Sequence, residues 1–193
     1  GKTIYQWIDQ PTRKKLVSAY EKGLNAILQS QIIVNDQKTA WCQQHNPKTY
    51  RPVQGRSYEL PSITARESSD IVLFLMRIPA PDHAVKEAIH AATQWFKNVQ
   101  INGYRYATIT IPERPYHQTS VNFDREFVPD ENAQPVWARF YDLEHSKPFL
   151  CRRSGEVVGK QAVRRAMLGA VARKYATPLL YVNQVGGNDD LVF

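Results

Sequence analysis

The run Ile71-Val72-Leu73-Phe74-Leu75-Met76 is apolar throughout, and it decides the fold class that the sequence predicts. Thr64 and Glu67 stand before it at the three-residue spacing of a capping box, and Pro79 follows it, so a helix is expected between them. A helix that is apolar on every side has no face suited to water, and this one is therefore expected to be buried.

More helices are predicted on both sides of this one. Asp82 is a suitable N-cap for the next helix, and the intervening Pro79-Ala80-Pro81 predicts an antiparallel helix pair. Apolar residues at three- and four-residue steps predict a further helix over residues 12–31 and a last one over residues 161–175. The predicted fold is therefore mainly α. The apolar face over residues 12–31 consists of Leu16, Tyr20, Gly23, Leu24, Ile27 and Leu28, and that after Asp82 of Val85, Ala88, Ile89, Ala92, Trp95 and Phe96.

Small β-segments are predicted between the helices. Residues 31–34 and 38–42 flank the turn residues Asn35-Asp36, a pattern that is typical of a short hairpin. Alternating aromatic and β-branched residues over 104–111 predict a strand. Residues 112–135 are polar and contain prolines, so they are predicted to be irregular.

The composition indicates a negatively charged partner. The 193 residues include 25 Lys and Arg against 18 Asp and Glu, which gives a net charge of +7, and the 42% hydrophobic content suffices for a core. Nucleic acid, acidic glycan and anionic membrane all suit such a charge. No nucleic-acid-binding module is recognised, and no apolar run approaches the roughly 20 residues of a membrane span. Cys42 and Cys151 could form at most one disulfide and lack metal-type spacing, so no metal ligands are assigned.

Residues 43–61 form the predicted functional loop. They show no periodicity and contain three prolines, and a structureless loop of this length is uncommon in a compact domain unless it is functional. The loop ends in Gly55-Arg56-Ser57-Tyr58-Glu59-Leu60-Pro61, and the later runs 137–143 and 151–155 add Arg139 and Arg153. The planar fork of arginine binds a carboxylate through two hydrogen bonds, so these runs predict a site for a carboxylated ligand.

Polymers of uronic acids carry one such carboxylate on every sugar. Their eliminative cleavage removes the carbon-bound proton next to the carboxylate, and this proton becomes more acidic when cations stabilise the enolate-like charge that develops. Arginines, a divalent metal or both can supply those cations. The arginine-bearing runs therefore favour a lyase for acidic polysaccharides, although Arg56 considered alone would be an ordinary surface arginine.

Several motifs follow one another in a fixed order. They are Ile-Ile-Val at 32–34, Lys-Thr-Ala-Trp-Cys-Gln-Gln-His at 38–45, Arg-Ser-Tyr-Glu-Leu-Pro-Ser at 56–62, Ile-Val-Leu-Phe-Leu-Met at 71–76, Trp-Ala-Arg-Phe-Tyr-Asp-Leu at 137–143 and Arg-Ser-Gly at 153–155. In this order they resemble the C-terminal half of the family-ten pectate lyases, over about residues 1–157.

The resemblance implies a partial (α/α) toroid with small β-hairpins and the eliminative cleavage of pectate, or polygalacturonate, with calcium as cofactor. It places the family's catalytic arginine, the proposed proton acceptor, at Arg56, and its substrate-binding arginines at Arg139 and Arg153. Gln44 and His45 fall in a motif near the cleft and are further candidates for substrate binding. The resemblance also implies secretion or a periplasmic location, although the chain contains no signal-peptide pattern. We expect a monomer that binds neither nucleic acid nor membrane.

This chain departs from the family's pattern at two places. The family's calcium-binding carboxylates lie in helices that would precede Gly1, and no cluster of Asp and Glu replaces them, whereas calcium takes about 6–8 oxygen ligands. The calcium ligands are therefore expected to be absent from this chain, and its activity to be impaired. Arg152 and Ser154 stand where the family has acidic residues on each side of Arg153. Arginine is also an unusual general base, because a guanidinium normally has a pKa above about 12 and is therefore already protonated at neutral pH.

From about Gly159 the sequence changes character. A short buried strand is predicted at 179–182, and Tyr-Val-Asn-Gln-Val-Gly-Gly-Asn-Asp at 181–189 resembles the glutaminase domain of glutamine-dependent NAD synthetases, a nitrilase-like α/β fold. No catalytic residue of that family falls in this stretch. We therefore expect an incomplete pectate lyase-like unit at 1–158 and a short α/β fragment at 159–193, joined in a chimeric reading frame.

Two other functions stay open on the sequence. The chain could be a non-catalytic binder of acidic glycans, or a fragment of a glutamine-hydrolysing NAD synthetase. Single residues also have plainer interpretations, since Trp41, Trp95, Phe140 and Tyr141 suit a core better than a sugar platform, and His45 suits either a structural or a cleft-lining role.

Overall fold

Three helices and a set of antiparallel strands make up the described part of the chain. The structure is a computed structural model that describes residues 5–116, 119–158, 171–174, 180–183 and 191–192. The helices are α1 (Gln10–Ser30), α2 (Ala65–Met76) and α3 (His83–Asn98), and the strands are β1 (Ile33–Val34), β2 (Gln37–Lys38), β3 (Ile63–Thr64), β4 (Tyr104–Tyr116), β5 (Thr119–Pro129), β6 (Phe140–Tyr141), β7 (Pro148–Arg152), β8 (Val157–Val158), β9 (Val171–Lys174), β10 (Leu180–Asn183) and β11 (Leu191–Val192).

The prediction of a mainly α fold, a partial (α/α) toroid, is wrong. Strands β4 and β5 form a long two-stranded ribbon, and β3, β6, β7 and β11 form a sheet in the order β11-β7-β6-β3 with β8 beside β7. The ribbon includes most of the segment that was predicted to be irregular. The pairing register of the ribbon shifts between Thr110 and Arg114, and Pro112 lies in this irregular part. A proline is tolerated there because it has no backbone N–H to donate to the neighbouring strand.

Helix α1 contacts the core only through its second half. Asp9 caps it by accepting a hydrogen bond from Thr12 N at 2.7 Å. Leu24, Ile27 and Leu28 pack against the core, as the predicted face requires. Leu16 and Tyr20 belong to the same predicted face but are 52% and 46% exposed, so that half of the face is not buried by the described residues.

Helix α2 begins after Thr64 as predicted, but without the predicted capping box. The Thr64 side chain makes no cap hydrogen bond and donates instead to Trp41 O at 3.1 Å. The expectation that α2 is buried on every side is also wrong: Leu75 is fully buried, but Phe74 and Met76 are exposed. Helix α3 follows its prediction, with Asp82 accepting from Val85 N at 2.8 Å. Its predicted apolar stripe is buried at Val85, Ala88, Ala92, Trp95 and Phe96.

Trp41 anchors the start of the functional loop. Its side chain is completely buried, and its indole donates to Ile27 O at 2.8 Å, which ties the chain to α1. Its backbone N donates to Ser68 Oγ at 2.8 Å, which ties the same residue to α2. Before it, Asn35 and Asp36 turn the predicted hairpin of β1 and β2 with φ values of 49° and 60°. The loop from Cys42 onward therefore begins at a fixed point on the core.

The helix predicted over residues 161–175 is wrong at residues 171–174, which the structure describes. Residues 161–170 lie outside the described residues, but Val171–Lys174 is strand β9, paired antiparallel with β10. Strand β10 spans Leu180–Asn183, close to the strand predicted at 179–182. In the described part of the chain, no helix combines the length and the apolar character that crossing a membrane needs.

Candidate functional site

The candidate site is built around a tight turn at residues 55–59. Gly55 N donates to Glu59 O at 3.0 Å, and Glu59 N donates to Arg56 O at 2.8 Å, so the turn is closed by its own backbone. A Cβ at position 55 would lie 2.7 Å from Glu59 Oε2 and 3.2 Å from Gln44 Oε1, so a side chain there would displace the Glu59 carboxylate. The Glu59 carboxylate is therefore packed directly under the backbone of the turn.

Glu59 holds two arginines with one buried carboxylate. The residue is only 7% exposed. Its Oε2 accepts from Arg56 N at 3.0 Å, while its Oε1 pairs with Arg56 Nη2 and with Arg139 Nη2, the latter at 3.1 Å. The hydrogen bond from the Arg56 side chain holds the pKa of Glu59 below its usual value. The carboxylate therefore stays ionised at neutral pH and couples the two cations.

The two arginines differ in their access to solvent. The side chain of Arg56 is 61% exposed, and its guanidinium lies 4.8 Å above the ring of Tyr58. Arg139 is 7% exposed, and its guanidinium lies 5.8 Å from the ring of Tyr58 and 4.8 Å from that of Phe140. The hydrogen bond to Glu59 raises the pKa of Arg56, whereas burial lowers the pKa of Arg139. Arg56 is thus the cation of this pair that faces solvent.

Arg153 joins the same surface through the backbone. Ser57 Oγ donates to Arg153 O at 2.6 Å, and Cys151 Sγ donates to Tyr58 O at 2.9 Å. The turn after β7 therefore lies against residues 57 and 58. The side chain of Arg153 is exposed, and no hydrogen bond or ion pair of its guanidinium occurs within residues 5–116 and 119–158. The backbone turns that carry Arg56 and Arg153 are therefore adjacent, and Arg139 reaches the first of them through Glu59.

Gly155 makes this contact between the two turns possible. Its φ is +90°, and its N donates to Arg152 O at 2.9 Å. A Cβ at this position would be driven into Ser57 O, well inside contact distance. A side chain at residue 155 is therefore opposed both by the backbone conformation and by the neighbouring turn.

Gln44 and His45 occupy different positions relative to the arginines. Gln44 is exposed and its Oε1 lies beside Gly55, so it borders the turn that carries Arg56. His45 uses both ring nitrogens inside the loop: Cys42 N donates to Nε2 at 3.0 Å, and Nδ1 lies 2.8 Å from Tyr50 O. This arrangement requires a neutral ring with its proton on Nδ1. The structure therefore places His45 as a clamp of the loop, with neither nitrogen free to meet a ligand.

The clamp predicts a pH dependence of stability. Burial lowers the pKa of His45 in the folded state, so below the ordinary value of about 6.5 the unfolded chain takes up a proton that the folded chain does not. The free energy of unfolding should be at its full value above that pH and should fall as the pH drops through the folded-state pKa. Urea unfolding at pH 7.5 and 5.5 checks this. His45→Gln should reduce the difference between the free energies of unfolding at these two pH values.

The exposed His90 on α3 provides the control. His90→Gln removes a histidine that belongs to none of these loop contacts. If His90→Gln and His45→Gln change the pH dependence of the free energy of unfolding equally, the prediction for His45 is wrong.

Sequence reasoning missed Glu59 and Tyr58. Glu59 is the one acidic residue among positions 43–61, and it stands three residues after Arg56, so the spacing gave a signal for an ion pair within the loop. Arg139, the second partner of Glu59, lies 80 positions further along the chain. Sequence spacing alone offered no signal for that contact.

The described residues do not offer a calcium site. Within them, no group of three or more His, Cys, Asp or Glu side chains is placed to hold a metal ion. Glu59, the buried carboxylate of the site, is already occupied by arginine N–H groups. The residues present therefore do not suit calcium, which takes about 6–8 oxygen ligands. No chemical step is assigned to it here.

The fold of this chain is similar to that of polysaccharide lyases. The model of the pectic acid lyase family matches residues 1–164, and the chain belongs to that family. The structure is similar to a family 10 polysaccharide lyase from Cellvibrio cellulosa, with 29% sequence identity and a TM-score of 0.63 over 78% of this chain. A variant of a family 10 polysaccharide lyase from Cellvibrio cellulosa, in complex with trigalacturonic acid, gives 28% identity and a TM-score of 0.63.

The similarity is partial in length. The chain covers 43% and 44% of those two lyase chains, which is less than half of each. The second expected resemblance is found as a short match: 35 residues are 51% identical to the glutamine-dependent NAD(+) synthetase of Synechocystis sp.. That match covers 18% of this chain and 6% of the synthetase.

Proposed function

We propose that this chain binds polygalacturonate through Arg56 and Arg153, with the buried Arg139 supporting Arg56 through Glu59, and that it takes part in the eliminative cleavage of this polymer. The observation that carries the proposal is the packing of the turn that carries Arg153 against the turn that carries Arg56, with Arg56 held by a buried carboxylate at a solvent-facing position. Family membership supports the reaction class. The lyase in complex with trigalacturonic acid supports the substrate class.

Each arginine has a separate part in this proposal. Arg56 and Arg153 are exposed and receive uronate carboxylates from solvent, each through its planar fork. Arg139 lies buried behind Glu59, where its charge keeps the cluster positive and supports the position of Arg56. Bound cations stabilise the enolate-like charge that develops when the proton next to the carboxylate is removed. Gln44 borders the same turn and offers an amide to a sugar hydroxyl.

The proton acceptor in this proposal is Arg56, as the family resemblance implies. The hydrogen bond to Glu59 raises the pKa of Arg56, so the protonated form is favoured in the structure as it stands. To accept a proton, the Arg56 guanidinium must first release one of its own protons to solvent, and its pair with Glu59 opposes that release. In the resting arrangement Arg56 is suited to binding a carboxylate rather than to acting as a base.

The cofactor and the location of the protein follow the family in this proposal. Calcium is the cofactor that the family resemblance implies, but the described residues provide no cluster of ligands for it. We therefore expect the calcium-dependent turnover that the resemblance implies to be impaired in this chain. We further propose an extracellular or periplasmic monomer, in keeping with a polymeric substrate found outside cells.

The test is to incubate the whole chain with polygalacturonate and to follow unsaturated products by their ultraviolet absorbance, with calcium and with a chelator. Binding of trigalacturonate is measured in parallel by titration calorimetry. Slow release of unsaturated products together with trigalacturonate binding supports the proposal. Absence of trigalacturonate binding at low salt contradicts it, because the arginine cluster would then not recognise a uronate.

A non-catalytic binder of acidic glycans is the second candidate, and the buried Glu59 pair favours it because protonated Arg56 binds rather than reacts. Binding with no unsaturated product at any calcium concentration is its expected result. Unsaturated products that disappear in Arg56→Lys would exclude it.

A further inference from the structure

Glu59 is placed to do more than neutralise a buried arginine. Its two oxygens reach two different parts of Arg56: Oε2 accepts from the backbone N, and Oε1 pairs with Nη2. The backbone of Gly55 closes over Oε2 from the other side, since a Cβ there would lie 2.7 Å away. The carboxylate is thus packed between the turn and Arg139.

Arg56 is consequently fixed before any ligand arrives. Its side chain is 61% exposed, and an exposed arginine normally samples many rotamers. Here the Nη2 contact with Glu59 sets the direction of the side chain, and the ring of Tyr58 lies 4.8 Å from its Cζ and limits its tilt. Within the described residues, Nε and Nη1 of Arg56 have no hydrogen-bond partner. Those donors remain open to an anion that comes from solvent.

We propose that Glu59 is a positioning residue that holds Arg56 by one nitrogen and thereby presents its remaining N–H donors to a uronate carboxylate. The inference rests on the proposed function for the identity of the anion. Affinity is gained because the ordering of a flexible side chain is completed before binding. Glu59 itself touches neither the sugar nor the reacting atoms.

Positioning and simple electrostatics give opposite expectations. Glu59 is an anion among arginines, so removing its charge makes the cluster more positive and, on charge alone, should tighten the binding of a uronate oligomer. If its role is positioning, removing it should weaken binding in spite of the added positive charge. The sign of the change therefore distinguishes the two roles.

The experiment uses the full chain and two variants. Glu59→Gln removes the charge but keeps the length of the side chain. Glu59→Asp keeps the charge beside Arg139 but shortens the reach toward Arg56. It is the variant to use if removing the negative charge beside buried Arg139 unfolds Glu59→Gln. Glu87→Gln removes the exposed ion pair with Lys38, of length 2.8 Å, and is the matched control outside the cluster.

Two readouts are used, and one of them needs no sugar. NMR of nitrogen-15-labelled arginine reports how freely each guanidinium rotates, and the Arg56 signal, assigned by its loss in Arg56→Lys, should show slow rotation in the wild type. That rotation should become fast in both Glu59 variants and stay slow in Glu87→Gln. Trigalacturonate affinity at low salt should fall about tenfold in both Glu59 variants, as expected for the loss of preorganisation.

The outcomes separate the inference from the function on which it rests. Tighter or unchanged trigalacturonate binding in Glu59→Asp, with Arg56 still rotating slowly, overturns the positioning role. Wild-type protein that shows slow Arg56 rotation, lost in both Glu59 variants, but that binds no trigalacturonate supports the positioning role and refutes the uronate as the anion.

Discussion

Arg56→Ala is expected to lower trigalacturonate affinity roughly 100-fold and to remove any eliminative turnover of polygalacturonate. Hydrogen bonds between charged groups contribute about 1.5–3 kcal/mol each, and Arg56 offers its free donors on one exposed guanidinium. Removing one donor that stabilises developing negative charge commonly lowers kcat by about 10²–10³. Because the side chain is mostly exposed and Glu59 keeps its pair with Arg139, the fold should persist.

Two variants control for charge. Arg51→Ala removes an exposed arginine of the same loop, and no ion pair involves its side chain within the described ranges. It should change trigalacturonate affinity by less than about twofold, as expected for a screened surface charge. Arg56→Lys keeps the charge but loses the planar fork, and it should behave more like Arg56→Ala than like the wild type. Equal effects of Arg51→Ala and Arg56→Ala would show that net charge, rather than the position of Arg56, governs binding.

Gly155→Ala is expected to be strongly destabilising, by about 3 kcal/mol, and to weaken trigalacturonate binding as well. The φ of +90° costs an alanine about 1–2 kcal/mol, and the clash of its Cβ with Ser57 O adds about 1–3 kcal/mol more. Relief of that clash would push the turn carrying Arg153 away from the turn carrying Arg56. Urea unfolding and trigalacturonate titration measure the two effects.

Two other glycines separate the causes. Gly103 also has a positive φ, of 79°, but a Cβ there meets nothing within 4 Å, so Gly103→Ala should show the backbone cost alone. Gly23 lies inside α1 with free space around it, so Gly23→Ala should stabilise the protein by about 0.5–1 kcal/mol. If Gly155→Ala is no less stable than Gly103→Ala, the clash of the new Cβ with Ser57 O adds nothing to the loss of stability.

The helices were predictable because their signals are local. Asp82 and Val85 stand three residues apart, and their hydrogen bond formed as the pattern indicates. The same kind of signal failed at Thr64, because a carbonyl distant in sequence, that of Trp41, competes for its hydroxyl. The strand predicted over 104–111 is confirmed as the first part of β4, but the rest of the ribbon escaped prediction because Pro112 is tolerated where the pairing register shifts. The predicted division of the chain near residue 158 remains a prediction.

The sequence by itself determined the cap of α3, the turn at Asn35 and Asp36, and the family, because each of these depends on residues that are neighbours along the chain. Only the tertiary structure decided that Glu59 would hold Arg56 and Arg139 together, that Arg139 would be buried, and that Gly155 would admit the turn of Arg153 against Ser57. The physical reason is that a charge pair or a close backbone approach depends on distance in space. Arg139 lies 80 positions from Glu59 and Arg153 lies 96 positions from Ser57, and no periodicity connects residues that far apart.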